Sequence, residues 1–560
     1  MENKKNQNPF RTEIGRHVFH NKYALSADQT WYEKARSIVE DVCGNGYHGQ
    51  YDHPLMDREE REALTRFIFE MKFIPGGRYI YYAGREANFY NNCFLNRAEE
   101  DTREEWASLV QRVTSELMTG GGIGVDYSIL RPEGRILSKT GGQSSGPIPL
   151  MWMINEIGRN VMQGGSRRSA IYASLNWQHE DIPKFLSVKN WDESPLMNGQ
   201  FTVGEAKRAD FNYPAPLDMT NISLNYDDAW LKTEDRHLHP TFIENVRQAL
   251  STGEPGFSFN FGDNENETLR NACTEVTSED DSDVCNLGSV NMAAIESIDE
   301  FAQVVALASK FLVCGTIRAD LPHEKVYRVR EKNRRLGLGL MGMHEWLLKR
   351  GDKYEVTPEM HKWLRVYQYM SEEAANSHCD RLFLSRPKAY RAIAPTGSIG
   401  MLAGTTTGIE PLFAVAYKRR YLVGGNEWKY EYVVDATADT IIKETGTDPR
   451  DIETANTLVS DPERRIKFQA DVQDYVDMAI SSTINLPAWG SEENNEDRVE
   501  GFAKILSDYA PRLRGFTCFP DGARGGQPLE EADYYTAIQH KGTVFEENQD
   551  NQCRSGVCGV

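Results

Sequence analysis

Between Asn271 and Asn291 the chain reads Asn-Ala-Cys-Thr-Glu and then, after a polar run, Asp-Val-Cys-Asn-Leu-Gly-Ser-Val-Asn. An amide (Asn271), a thiol (Cys273) and a carboxylate (Glu275) fall at alternate positions. Alternate side chains of an extended segment point to one face, so all three would look at the same spot. A helix spreads these positions over roughly 200°, so convergence demands a strand-like or loop backbone. Gly288 and the polar run Thr277 to Asp283 favour a loop. The groups suit radical chemistry: a thiol surrenders a hydrogen atom, a carboxylate takes a proton, and an amide orients a hydroxyl. A bare Asn-x-Cys-x-Glu arises by accident often enough that, alone, it would be read as a polar loop with a buried thiol.

It does not stand alone. Cys285 follows Cys273 by twelve residues, Cys93 follows the glycine-rich Pro75-Gly76-Gly77-Arg78 within Asn91-Asn92-Cys93-Phe94, and Cys553-x4-Cys558 lies at the far end. These five cysteines, in this order over roughly residues 70 to 560, resemble the catalytic chain of ribonucleotide reductases. The resemblance implies an α/β fold: a ten-stranded barrel of two five-stranded half-sheets, with a central finger loop carrying Cys273. It implies an N-terminal helical region at 1–70, the barrel at 71–528 and a flexible redox tail at 529–560. The motifs begin too early for an ATP-cone module, so dATP is expected to act only on specificity.

The same resemblance assigns the residues. Cys273 carries the radical, Glu275 is the general base on the ribose 3′-hydroxyl, and Asn271 orients the hydroxyls. Cys93 and Cys285 are the reducing pair, re-reduced by Cys553 and Cys558, which a thioredoxin-like donor resets. Gly76, Asn92 and the run Pro395, Thr396, Gly397, Ser398, Ile399 would bind substrate. The effector deoxynucleotide would meet Asp101, Arg131 and the loop Gly164, Gly165, Ser166, Arg167, Arg168. Taken singly, these arginines would be read as surface salt bridges.

The radical source follows from Thr517-Cys518-Phe519-Pro520, which stands where a metal-subunit-dependent chain carries two tyrosines. The run is similar to the adenosylcobalamin-dependent class, so adenosylcobalamin is the expected cofactor and no metal ligands are expected. Tyr534-Tyr535 competes for the tyrosine role, but follows Leu529-Glu530-Glu531-Ala532, which reads as helix. The alternatives are a large subunit needing a separate metal-containing subunit, and a nucleotide-binding regulator without turnover. Retention of all five cysteines with Asn271 and Glu275 argues against the regulator. Cys553 and Cys558, with no nearby histidine, make a poor zinc site.

Composition narrows the partners. The 560 residues are 40% hydrophobic and 26% charged, ordinary for a globular protein. A net charge of −20 disfavours nucleic-acid polymers, whereas glycine-rich backbone can still hold a small phosphate. No consecutive apolar run of ~18 residues and no signal-peptide core are present, giving an expected cytoplasmic location without membrane. Nine unevenly spaced cysteines do not suggest a secreted scaffold. Cys43, Cys314 and Cys379 read as small buried hydrophobes.

In chain order, amphipathic helices are expected near Trp31–Val42 and Arg58–Met71, with no chemistry before residue 70. Tyr79 to Tyr82 reads as strand. Gly120-Gly121-Gly122-Ile123-Gly124 follows a helix and precedes a strand, the reverse of a dinucleotide fingerprint. Ala394 to Gly400 reads as a strand-to-helix turn offering N–H groups to phosphate. Tyr430 to Arg512 reads as mostly helical and Gly515 to Phe519 as a last strand. About fifteen residues separate Gly124 from Gly141, too few for the insertion of monomeric relatives, so a homodimer is expected.

Overall fold

The computed structural model describes residues 8–546 except 139, 162–168, 197, 198, 200, 211, 212, 424–426 and 524–528. The effector-loop residues Gly164 to Arg168 and the tail cysteines Cys553 and Cys558 lie outside the described residues.

The N-terminal helices start where the sequence supplies caps. Thr30 with Glu33 and Asp57 with Glu60 form capping boxes at the helices Trp31–Cys43 and Arg58–Phe69. Strand β1 (Phe73–Pro75) follows, then β2 (Cys93–Arg97), β3 (Gly122–Asp126), β4 (Ile171–Asn176), β5 (Thr220–Tyr226) and β6 (Gly256–Phe259). A two-strand hairpin, β7 (Leu269–Arg270) and β8 (Thr277–Ser278), precedes β9 (Asp283–Asn291) and β10 (Leu336–Met341). The remaining strands are β11 (Ala416–Val423), β12 (Glu427–Val434), β13 (Thr483–Leu486), β14 (Gly515–Pro520), β15 (Leu529–Glu531) and β16 (Val544–Glu546).

β2 to β6 pair in sequence order, all parallel. β9 with β10 and β13 with β14 are also parallel. Antiparallel seams join β2 to β9 and β6 to β14. Parallel strands need covered faces, and two apolar cores supply them. One packs Trp31–Cys43, Arg58–Phe69, Ile298–Arg318 and Pro358–Arg381 around β10. The other packs Arg103–Thr119, Ile148–Asn160, Pro240–Thr252 and Val499–Tyr509 around β3 to β6. A small third cluster contains Cys93, Leu269, Val276, Cys285 and Met478, so the β7–β8 hairpin packs with the two cysteine-bearing strands β2 and β9. The fold is a large mixed α/β sheet clothed by helices.

Helix Ile298–Arg318 is long and apolar enough to cross a membrane. Its Phe301, Val304, Val305, Ala308, Phe311 and Leu312 are instead buried in the protein core.

Three local expectations are corrected. Tyr79 to Tyr82 lies in the helix Gly77–Tyr82, where Tyr79 stacks on Tyr90 at 4.7 Å between ring centroids; packing overrides the strand preference of aromatic residues. Leu529–Glu531 is a strand paired with β11, not a helix, and Tyr534–Gln539 is the helix after it. The segment from Tyr430 begins on β12, which pairs with β11 and β16, so within residues 529–546 the two ends, β15 and β16, are strands of a four-stranded sheet with the helix Tyr534–Gln539 between them.

Candidate active site

Glycine makes the central hairpin admissible. A Cβ on Gly124 of β3 would lie 1.7 Å from the Arg270 carbonyl oxygen, and one on Gly122 would lie 3.0 Å from the Ala272 Cβ. The glycine-rich run therefore serves close approach of the hairpin, and it follows a helix ending at Thr119, as the sequence indicates.

The tip is a turn. Thr274 donates its N–H to the Asn271 carbonyl at 3.0 Å and has φ +69°, the left-handed region. This departs from simple alternation. Asn271 and Glu275 are buried and converge, whereas Cys273 sits exposed at the turn. The Asn271 side chain uses both ends: Oδ1 accepts from Val276 N at 3.0 Å, and Nδ2 donates to Cys93 Sγ at 3.0 Å. The Cys93 thiol lies 3.9 Å from Glu275 Oε1. The Glu275 carbonyl accepts from Ala479 N at 2.8 Å, docking the tip. Cys285 is the direct cross-strand partner of Cys93.

Burial sets the protonation states. It pushes Glu275 up to about 7, against hydrogen bonds from Asn271 and Cys93 that pull it down. It pushes both Cys93 and Cys285 well above the usual thiol range, helped by Glu275 near the first and Asp283 near the second. Both thiols are therefore protonated at neutral pH, suited to deliver hydrogen. Among the described residues, the buried oxygens Asn91 Oδ1, Asn92 Oδ1 and Glu275 Oε2 have no hydrogen-bond partner. A buried polar atom left without a partner calls for an explanation, and a bound polar ligand is one.

Gly76 and Asn92 are neighbours: a Cβ on Gly76 would meet Asn92 Oδ1 at 3.1 Å. Thr396, at φ +52°, precedes the short helix Gly397–Ala403 and leaves its first turn without a side-chain cap, because its hydroxyl accepts from Gly408 N at 2.8 Å. Arg391 pairs with Leu338 of β10, and Ile393 with Ile480 beside Ala479, so this loop and the hairpin tip hang from one ladder. Asp101 and Arg131 form a salt bridge with one another, and Arg131 Nη2 also reaches the Asp101 carbonyl at 2.9 Å.

Sequence reasoning gave no role to the arginines under the hairpin. Arg335 Nη2 donates to Glu267 Oε1 and its Nε to Asp283 Oδ2, each at 2.9 Å. Arg514 donates to Glu267 Oε2 at 3.0 Å. The two arginines hold Glu267 well down at about 2 although burial opposes them. Glu267 precedes the hairpin and Asp283 follows it, so Arg335 closes its base. These partners are distant in sequence; their only signal was charge in otherwise buried segments.

Cys518 of β14 is buried, donates to the Ala249 carbonyl at 3.4 Å and is pushed up to about 12 by burial. Tyr534 and Tyr535 lie on the helix beside the small sheet, where Tyr534 donates to Asp439 at 3.0 Å.

Comparison with known proteins gives the family. The family described as ribonucleotide reductase, barrel domain, matches residues 91–215, 231–380 and 386–508. A vitamin B12-dependent ribonucleoside-diphosphate reductase of Mycobacterium tuberculosis strain CDC 1551 is 26% identical over 95% of this chain and 81% of its own length. The protein of the same name from Thermoplasma acidophilum is 24% identical, covering 88% and 72%. A ribonucleoside-diphosphate reductase subunit alpha from Synechocystis is 24% identical over 56% of this chain and 45% of itself. With the family match spread over most of its length, this chain belongs to the ribonucleotide reductase family.

Proposed function

We propose that the chain reduces ribonucleotides to 2′-deoxyribonucleotides by thiyl radical chemistry, with adenosylcobalamin as the radical source. The observation that carries this is the cluster Asn271, Cys93 and Glu275, with Cys285 across the ladder and Cys273 exposed above it. The names of the M. tuberculosis and T. acidophilum relatives support the cofactor and favour a diphosphate substrate.

The exposed position of Cys273 fits a bulky partner that must come within reach of its thiol, and the buried Cys518 offers no tyrosine relay. When bound, adenosylcobalamin supplies the radical that removes the Cys273 hydrogen. The Cys273 sulfur then takes the ribose 3′-hydrogen. Glu275, titrating near neutrality, accepts the 3′-hydroxyl proton, and Asn271 orients the hydroxyls. Cys93 and Cys285 supply two hydrogens as the 2′-hydroxyl leaves as water, and Cys273 and Glu275 return the 3′-hydrogen and the hydroxyl proton. Ribonucleotide and two thiols thus become deoxyribonucleotide, water and one disulfide. Cys553 and Cys558 then reduce that disulfide by thiol exchange and are reset by a thioredoxin-like donor.

The strand pairing supports a ten-stranded barrel of two five-stranded halves. β2 to β6 form one half; β9, β10, the segment at Arg391–Ile393, β13 and β14 form the other, joined through the Leu338–Arg391 and Ile393–Ile480 bridges. The β7–β8 hairpin is its central finger. Substrate phosphates would rest on Pro395 to Ile399, with Gly76 and Asn92 alongside. The effector would bind by Asp101, Arg131 and the loop after Ile148–Asn160. Exposed Met118, Trp152 and Met153 on the two flanking helices support a homodimer there. Turnover with only adenosylcobalamin and dithiothreitol added tests the function; no deoxynucleotide under those conditions would defeat the cofactor assignment.

A further inference from the structure

The first seventy residues carry no chemistry by sequence, yet they reach the phosphate loop. Thr12 caps the helix Glu13–Val18, which runs directly into a π-helical turn, Phe19–Tyr23. Turns of this kind are rare and frequent at functional sites. Phe19 and Tyr23 are buried, and the Tyr23 hydroxyl lies against Gly77, where a Cβ would meet it at 2.8 Å. Lys22, next to it, is exposed and donates from Nζ to Ser398 Oγ at 3.0 Å. One dipeptide therefore touches Ser398 of the run assigned to substrate phosphates and Gly77, the residue after the substrate-assigned Gly76.

The segment is held independently of Lys22. Gly15 packs on the carbonyls of Met401 and Leu402, where a Cβ would approach to 3.0 and 2.7 Å. Arg11 donates to the Gly404 carbonyl at 3.0 Å and to Glu345 Oε1 at 2.6 Å. The helix is thus fixed on the far end of Gly397–Ala403, and the π turn delivers the Lys22 ammonium to the near end. A phosphate oxygen bound to the Ser398 hydroxyl would stand roughly 3 to 5 Å from Nζ, within its swing. An anionic substrate approaching a chain of net charge −20 also gains from a local cation.

We propose that Lys22 is a substrate-phosphate ligand, acting with Ser398 on the terminal phosphate of the bound nucleotide. This rests on the reading that the Thr396–Ile399 run holds the substrate phosphates. In the full-length protein, Lys22→Met should raise the KM and equilibrium Kd for a ribonucleoside diphosphate about tenfold or more. The loss should fall on KM rather than kcat, with Lys22→Arg restoring most of it and binding of the phosphate-free nucleoside unchanged. Unaltered diphosphate affinity in Lys22→Met, or an equal loss for the nucleoside, would overturn the proposal. Ser398→Ala separates the two layers. If it weakens diphosphate binding while Lys22→Met does not, only the lysine assignment falls; if neither variant matters, the phosphate-loop reading falls with it.

Discussion

Cys93 stands directly opposite Cys285 across the antiparallel seam between β2 and β9. Directly opposed residues there have Cα atoms about 4.5 to 5.5 Å apart, inside the range a disulfide spans. The pair can close after delivering hydrogen without moving either strand. One turnover without external reductant should leave a Cys93–Cys285 disulfide, read by peptide mapping. Cys93→Ser or Cys285→Ser should lower turnover to background with thioredoxin and small dithiols alike, whereas Cys553→Ser or Cys558→Ser should fail only with thioredoxin. Equal behaviour of all four variants would remove the distinction between inner pair and shuttle.

Glu275 gives a pH prediction with a definite sign. A carboxyl whose folded pKa exceeds its unfolded value binds more protons when folded between the two, so stability falls as pH rises through that window. For Glu275 the window runs from 4.5 to about 7. Glu275→Gln abolishes the ionisation, so its stability relative to wild type should improve from pH 5 to pH 8, by about 1.4 kcal/mol for each pH unit the window spans. Its activity should vanish, and the wild-type kcat/KM should fall on the acid side of about 7, where the base is protonated. Denaturation midpoints at the two pH values check the first; a gap that does not widen with pH contradicts the buried-acid account.

Arg335 bridges Glu267 and Asp283, the residues that open and close the finger, and is itself almost fully buried. Arg335→Met should cost about 3 to 5 kcal/mol in unfolding free energy because it strands buried carboxylates. Arg335→Lys keeps the charge but lacks the planar fork that reaches both acids, so it should recover only part of the stability and little of kcat. Urea titration with steady-state kinetics decides it; a lysine variant of full activity would show that closing the base does not position the finger.

Much of the site was legible because its chemistry sits in short motifs. The order of Cys93, Cys273 and Cys285 around Asn271 and Glu275 requires no long-range geometry. What failed was local conformation decided by tertiary packing. The left-handed Thr274 makes the tip a turn rather than an extended strand, and Cys273 is exposed there while Asn271 and Glu275 are buried. The Tyr79–Tyr82 run packs as a helix against Tyr90 and Phe311, and Leu529–Glu531 takes its strand form from pairing with β11. Contacts such as Lys22 with Ser398 or Glu267 with Arg514 join residues hundreds of positions apart, and no periodicity encodes them.

Gly124 tests whether the hairpin must thread past β3 at this distance. Its Cβ substituent would stand 1.7 Å from the Arg270 carbonyl oxygen, closer than real Cβ atoms come, and the obstacle is backbone rather than a flexible side chain. Gly124→Ala must therefore displace either β3 or the base of the finger. β3 is hydrogen-bonded on both sides by β2 and β4, whereas β7 is paired only with the two-residue β8, so the finger should yield. A shift near 1 Å there moves Asn271, Cys273 and Glu275 together, and misplacement of that size can cost about a hundredfold in rate. The variant should still fold and keep nucleotide affinity within a few-fold, since the run assigned to the substrate phosphates leads into the helix Gly397–Ala403 and is tied through Arg391 and Ile393 to Leu338 and Ile480, not to β3 or β7. Turnover close to wild type in a folded Gly124→Ala protein would show that the finger tolerates the displacement.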